Sequence, residues 1–485
     1  MVRIVRCLDD NRSEFLARLV VCVFGILFVL ICSYSTSPLF AAYYRGDSAQ
    51  FLTIGKAWAL GKIPYKELFD HKGPIIYFID MLGFKIAGTK SGVCVFQILF
   101  MLITVNALYN IGKLSSENPL YSVFTTGIAL IFLKLNYSEG NSVEEYCLPF
   151  ITVSSYYQLR FFYQRSDTHP PLAALWYGMT LGVCALTRTT NAVIVCSGIL
   201  IITIILLSRK RYVNLWNNMC SFLIGCLLIS VPFIIYFYEK GCLSEFVYST
   251  FTYNVEYLKK MQPWIKGADL MDIAKFLIVY FVYFCVGAAA LFALWRKAYV
   301  LFSFYVLSFA IESYLFFSGA SFVQYPAVCL PQLVFLLNEI CLLENKKVAD
   351  RLMKLIVMQM IVVICIGMIQ INRAVEKCQD TNKSYEKLIA EIPITERNSF
   401  VAYGGNQFKE LYLYFDLIPY YKYFVIQEWH AGFSETVRND IYETFMKGDV
   451  KWILTDGNTS VIDDVLRQRY EQYDMVGHYS LFRLR

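Results

Sequence analysis

Predominantly apolar segments recur along the first three quarters of the chain, at residues 15–34, 93–111, 121–135, 146–163, 172–186, 191–207, 220–238, 273–295, 299–317, 326–343 and 352–371. A segment that crosses a bilayer needs about 20 such residues, with its backbone polar groups satisfied internally. The pattern therefore calls for an α-helical polytopic membrane protein of about eleven transmembrane helices. Composition agrees: with 57% of 485 residues hydrophobic and 17% charged, too little polar surface remains for a soluble protein of this length.

Positive charge sets the expected orientation, because Lys and Arg in short loops are retained on the cytoplasmic side. Arg3, Arg6, Arg12 and Arg18 place the N-terminus inside, and the connections at 160–165, 209–211, 296–297 and the segment with Lys346, Lys347, Arg351 and Lys354 follow as cytoplasmic. Loops 137–145 and 319–323 carry no Lys or Arg. An odd number of spans then leaves the C-terminus outside, as expected for a multi-pass protein of the inner (cytoplasmic) cell membrane. The first apolar segment reads as an uncleaved helix, since it lacks a small-x-small site before Pro38 and many spans follow it. Most of the fifteen cysteines fall inside apolar segments and no CxxC or Cys/His metal spacing is present. Cys242 and Cys378 fall outside, near helix ends, and read as unpaired thiols with a bridge as the alternative. The net charge of +6 is dispersed over loop ends without a basic, aromatic-lined face, so nothing supports nucleic acid as a partner and none is expected.

Charged residues return after residue 371, and 372–485 read as a small extracytoplasmic α/β domain attached to a transmembrane domain of residues 1–371. Strands are expected at 399–403, 423–426, 451–455 and 479–483, with helices at 381–390, 435–446 and 461–469. Gly404-Gly405-Asn406 reads as an ordinary turn after a strand, too weak a pattern for a phosphate loop.

The first outer loop, about 35–92, carries the most chemistry. Asp47 precedes a helix-compatible run, Gly61, Pro64 and Tyr65 mark a turn, and Asp70-His71-Lys72 lies just before Gly73-Pro74 and another apolar helix. Acids, a histidine and a lysine held at a membrane surface suit work on a lipid-borne substrate, with a base and a phosphate ligand among them. Each has a plainer alternative: Asp47 as a helix N-cap, Lys72 as a lysine snorkelling to headgroups, His71 as a structural residue. Glu144 and Glu145 sit where carboxylates favour a helix N-terminus, and Arg188 suits either a phosphate or a lipid headgroup.

These residues resemble the GT-C class of membrane glycosyltransferases, in particular the glycosyltransferase family 39-like branch that is similar to protein O-mannosyltransferases and the lipid A aminoarabinose transferase. The likeness is carried by Asp47, by Gly61-Lys62-Ile63-Pro64-Tyr65, and by 69–77, Phe-Asp-His-Lys-Gly-Pro-Ile-Ile-Tyr, and extends to Asn141-Ser142-Val143-Glu144-Glu145-Tyr146. The chain departs from the pattern with Asp47-Ser48 where many relatives have two acids, and with Gly73 where many have proline. The resemblance implies a GT-C-like fold and transfer of a sugar, with inversion, from a polyprenyl-phosphate carrier to a glycan, lipid or protein acceptor on the outer face. It implies Asp47 as general base, Lys72 and Arg188 as ligands of the donor phosphate, and Tyr65, Asp70, His71, Glu144, Glu145, Gln324 and Tyr325 as residues around the substrates. No cofactor is expected; a divalent metal stays an open alternative that the sequence does not support. The alternatives are a lipid-linked glycan polymerase or ligase, whose large loop falls in the second half of the chain, and a flippase or transporter, for which internal repeats are missing.

Overall fold

The computed structural model describes residues 2–319, 322–341, 343–379 and 385–485. Among them, seven helices are long and apolar enough to cross a membrane, and an eighth span forms if the pair Leu270–Val279 and Phe281–Trp295, bent by 67°, is counted as one. Every one of the eleven apolar segments is largely helical. The remainder are Val143–Gln164, the short Pro171–Ala185, and Leu330–Cys341 with the 3-10 turn before it. The chain divides into two compact units, each assembled from three stretches: 1–34, 94–232 and 262–373 form one, and 35–93, 233–261 and 374–485 form the other.

The first unit is built of helices and connecting turns, with no strand among its described residues. Its helix ends follow local chemistry. Asn118 caps Pro119–Asn136 by accepting from Leu120 N–H at 3.0 Å, with proline at the first helical position, where a missing N–H costs nothing. Ser142 caps Val143–Gln164 by accepting from Glu145 N–H at 3.3 Å.

The second unit joins the outer loop to the tail. Helices Gly46–Ala59 and Pro74–Ala87 pack tightly against each other. Their approach depends on Gly55, where an added Cβ would lie 2.3 Å from Cβ of Asp80 and 3.0 Å from the Met81 nitrogen. Gly55→Val is expected to lower stability by about 1–3 kcal/mol through overpacking. An unchanged unfolding midpoint of the detergent-solubilised protein would contradict this packing.

The tail builds a four-stranded mixed sheet of β1 (Phe400–Tyr403), β2 (Trp452–Thr455), β3 (Tyr470–Val476) and β4 (Tyr479–Leu484), in the order β1-β2-β4-β3. β1 and β2 are parallel, in the register Phe400 with Trp452, and β4 runs antiparallel to both of its neighbours. Three of the four expected strands are present. Residues 423–426 are not a strand: Tyr423, Phe424 and Val425 are buried in an irregular segment whose carbonyls go to side chains, Tyr412 Oη donating to Phe424 O and Gln427 Nε2 to Tyr423 O. The missed strand is β3, whose mostly exposed residues lack the alternation that marks a half-buried strand. Helices Glu435–Lys447 and Asp463–Arg469 match expectation closely. Of the helix expected at 381–390, residues 381–384 lie outside the described residues, and Glu386–Glu391 is helical. The core of this unit gathers Val401, Tyr403, Val437, Ile441, Phe445, Ile453 and Val465, and it also takes in Phe69 from the outer loop. Cys242 and Cys378 are free thiols.

Candidate active site

Asp47 lies in the first turn of Gly46–Ala59, not at its cap. The N-cap position is Arg45, whose side chain makes no capping hydrogen bond. The Asp47 carboxylate is 58% exposed and stands 2.6 Å from Nζ of Lys409, a side chain only 8% exposed. Burial of its surroundings raises the Asp47 pKa, but the charge and hydrogen bond of Lys409 and the charge of Lys72 outweigh that and hold it below the usual carboxylate range. The group is therefore ionised at neutral pH.

The loop from Tyr65 to Gly73 is built to present Lys72. Tyr65 takes the left-handed conformation (φ 69°), which turns its fully buried side chain so that Oη donates to Lys72 O at 2.8 Å. Asp70, 2% exposed, accepts from Tyr77 Oη at 2.7 Å and from His71 N–H at 2.7 Å, and lies 3.0 Å from His71 Nδ1. Burial works against its charge, but the hydrogen bonds with His71 and Tyr77 hold its pKa well below the ordinary range. His71 Nε2 is 3.1 Å from Lys72 Nζ. An ammonium has only donors, so Nε2 must be the unprotonated acceptor, which leaves the proton on Nδ1 toward Asp70. Burial first, then the Lys72 charge, depress the His71 pKa, in keeping with a neutral ring. Asn254 Nδ2 donates to His71 O at 2.7 Å, and the rings of Tyr253, Tyr257, Trp429 and His430 surround the imidazole at 5.5–6.0 Å. Burial above all brings His430 down to about 3. Asp70, His71 and Tyr65, expected around the substrates, are thus engaged with one another and with the backbone, and together they aim the Lys72 ammonium.

The remaining candidates belong to the other unit. Glu145 is buried, its carboxylate accepting from Tyr137 Oη, from Gln97 Nε2 at 2.9 Å and from Asn141 N–H at 2.8 Å, so it fastens the turn before its own helix. Glu144 is the counter-ion of Arg188 at 3.4 Å. The Arg188 guanidinium lies 3.1 Å from the Tyr325 ring centroid, a cation–π stack. Gln324, beside it, is half-buried and precedes the 3-10 turn Tyr325–Cys329.

Gly404 and Gly405 follow β1 at the position a phosphate loop would take. There the Gly405 N–H donates to Asp456 Oδ2 at 3.0 Å, and a Cβ on Gly404 would lie 2.3 Å from Asp456 Oδ1. The carboxylate of this chain fills the space an anion would need. Among the described residues no three His, Cys, Asp or Glu side chains group closely enough to hold a metal ion.

By sequence, residues 9–366 match the family described as "Putative competence-induced protein Ccs4 N-terminal domain". The chain belongs to the Ccs4 N-terminal-domain family. No curated protein matches this Ccs4-family chain by sequence. Its fold is similar to that of ArnT from Cupriavidus metallidurans, solved bound to undecaprenyl phosphate, with 12% identity over 96% of this chain and 97% of that one and a TM-score of 0.58. It is also similar to the oligosaccharyltransferase of Archaeoglobus fulgidus tethered to an acceptor peptide, with 11% identity over 95% of this chain and 74% of that one and a TM-score of 0.52. The fold is thus similar to GT-C folds, with a small C-terminal sheet.

Lys409, Asn254, Trp429 and His430 were not singled out in the sequence. Lys409 is 362 residues from its partner and lies, like Trp429 and His430, beyond the part of the Ccs4-family chain that matches the family. The one local hint is the Lys409-Glu410 pair ahead of an apolar run.

Proposed function

We propose that this protein transfers a sugar from a polyprenyl-phosphate donor to an acceptor hydroxyl at the outer face of the membrane, with inversion at the anomeric carbon. The observation that carries the reading is the pairing, in one compact unit, of an accessible ionised carboxylate, Asp47, with a lysine, Lys72, held by a chain of buried partners. The GT-C-type fold supports it. Asp47 accepts the proton of the acceptor hydroxyl as its oxygen attacks the anomeric carbon. The bond from that carbon to the phosphate oxygen breaks, and the electron pair leaves with the polyprenyl phosphate, whose growing charge Lys72 stabilises. A carboxylate of lowered pKa is a weak base, which suits a reaction in which the leaving group departs early and the hydroxyl becomes acidic late. Arg188, stacked on Tyr325, is a further cation for an anionic group. In this reading the N-terminus is cytoplasmic and the tail extracytoplasmic, and a flipped lipid carrier reaches the site laterally.

The test uses the purified full chain in liposomes with matched donors, each sugar presented once on a nucleotide and once on undecaprenyl phosphate. Release of undecaprenyl phosphate coupled to acceptor glycosylation is the expected result. Transfer from the nucleotide sugar without any lipid carrier would overturn the reading, since no Gly-rich nucleotide motif is present in the sequence.

A further inference from the structure

Three ion pairs run along helix Gly46–Ala59, and in each the partner comes from one short tail segment, 409–416. Arg45 Nε is 3.8 Å from Glu410 Oε2, Asp47 Oδ1 is 2.6 Å from Lys409 Nζ, and Lys56 Nζ is 2.6 Å from Asp416 Oδ1. Consecutive tail residues thus grip both flanks of Gly46, at a helix start whose N-cap side chain makes no capping hydrogen bond. The asymmetry of exposure gives the direction of control: a lysine that is 8% exposed is fixed by its surroundings, whereas a carboxylate that is 58% exposed has freedom to be placed.

From this clamp we propose that Lys409 is the positioning residue for the base, fixing where the Asp47 carboxylate points and keeping it in its charged form. The proposal rests on the reading of Asp47 as the group that takes the acceptor's proton, and it makes the tail a working part of the site. The charged and titratable groups that act on Asp47 from the packed elements are Lys409 from the tail and Lys72, Asp70 and His71 from the loop. Lys409 is the largest favourable influence on the carboxylate, acting through both charge and hydrogen bond, with Lys72 behind it and Asp70 opposing. Removing the Lys409 charge while Lys72 remains should leave a carboxylate that protonates at higher pH and wanders from the attack line.

The experiment compares wild type, Lys409→Met and Lys409→Arg as full-length purified proteins, each checked for monodisperse elution. The infrared band of the protonated Asp47 carboxyl, isolated by difference against Asp47→Asn, is titrated with pH. Turnover is followed with undecaprenyl-phosphate-linked sugar. In Lys409→Met the band should appear at higher pH, and kcat should fall about tenfold while donor KM stays within about threefold, with Lys409→Arg restoring both. A band that does not move, or a loss confined to donor KM, would overturn the proposal, the second outcome making Lys409 a donor ligand. If wild type transfers from no lipid-linked donor, the functional reading fails on its own account, because the infrared titration reports on the pair without any turnover.

Discussion

Asp47→Asn is expected to lower transfer by roughly 10²-fold or more with the protein still folded, because the amide keeps the shape of the side chain but has no basic oxygen to take a proton. Its carbonyl can still accept from Lys409, so the clamp on the helix start persists and the loss is chemical. The effect belongs in kcat, since the hydroxyl proton moves only as the bond forms. Because the Asp47 pKa is lowered in the folded protein, the carboxylate is the charged species above its depressed pKa, and wild-type turnover should persist as pH falls well into the acid range before it is lost. The check is initial rates with saturating lipid-linked donor across pH. Wild-type turnover by Asp47→Asn would remove the aspartate from the mechanism.

Lys72→Ala is expected to cost about 10²–10³-fold, the range seen when one preorganised donor to a developing negative charge is removed. The reasoning is electrostatic. The charge on the departing phosphate grows along the reaction, so an ammonium held by His71, itself tied to Asp70, gains more at the transition state than on binding. Kinetics separate the two cases: a fall in kcat with little change in donor KM supports the assignment, and a rise in KM alone reduces Lys72 to an anchor. Arginine should restore little, because its planar fork presents its donors differently from the compact ammonium that meets His71 Nε2.

The helical layer was legible from hydropathy because each segment carries its own signal over about twenty residues. Helix Glu435–Lys447 was legible for the same reason on a smaller scale, with Ser434 before it and Gly448 after it acting as caps. Strand β3 was not, since it is an edge whose side chains face water, and Tyr423 to Ile426 misled because burial without a ladder looks like a strand in one dimension. Asp47 and Lys72, the two residues of the proposed mechanism, stand out through the local pattern around them. What the sequence hid was the division of labour. Asp70, His71 and Tyr65 read as substrate contacts, yet their hydrogen bonds point inward to Tyr77 and to the backbone of Lys72. Lys409 and His430 carry no motif, and only the three-dimensional meeting of distant stretches gives them a role.

That meeting bears on how the protein is made. The pair between Asp47 and Lys409 closes a loop of 362 residues. Loop length itself adds little to the equilibrium, since each doubling costs only about 0.6 kcal/mol. Time is the stricter constraint. At about 5–20 residues per second, the ribosome needs roughly 20–70 s between the two residues. Throughout that interval the segment with Phe69 lacks much of the core it enters, because Ile441, Phe445 and Ile453 have not yet been synthesised. The pairing of Asp47 with Lys409 is therefore one of the last parts of the molecule to form, and a chain released early lacks it. Under the proposed function, biogenesis of this fold carries its own safeguard, in that an incomplete copy has no assembled base with which to consume lipid carriers.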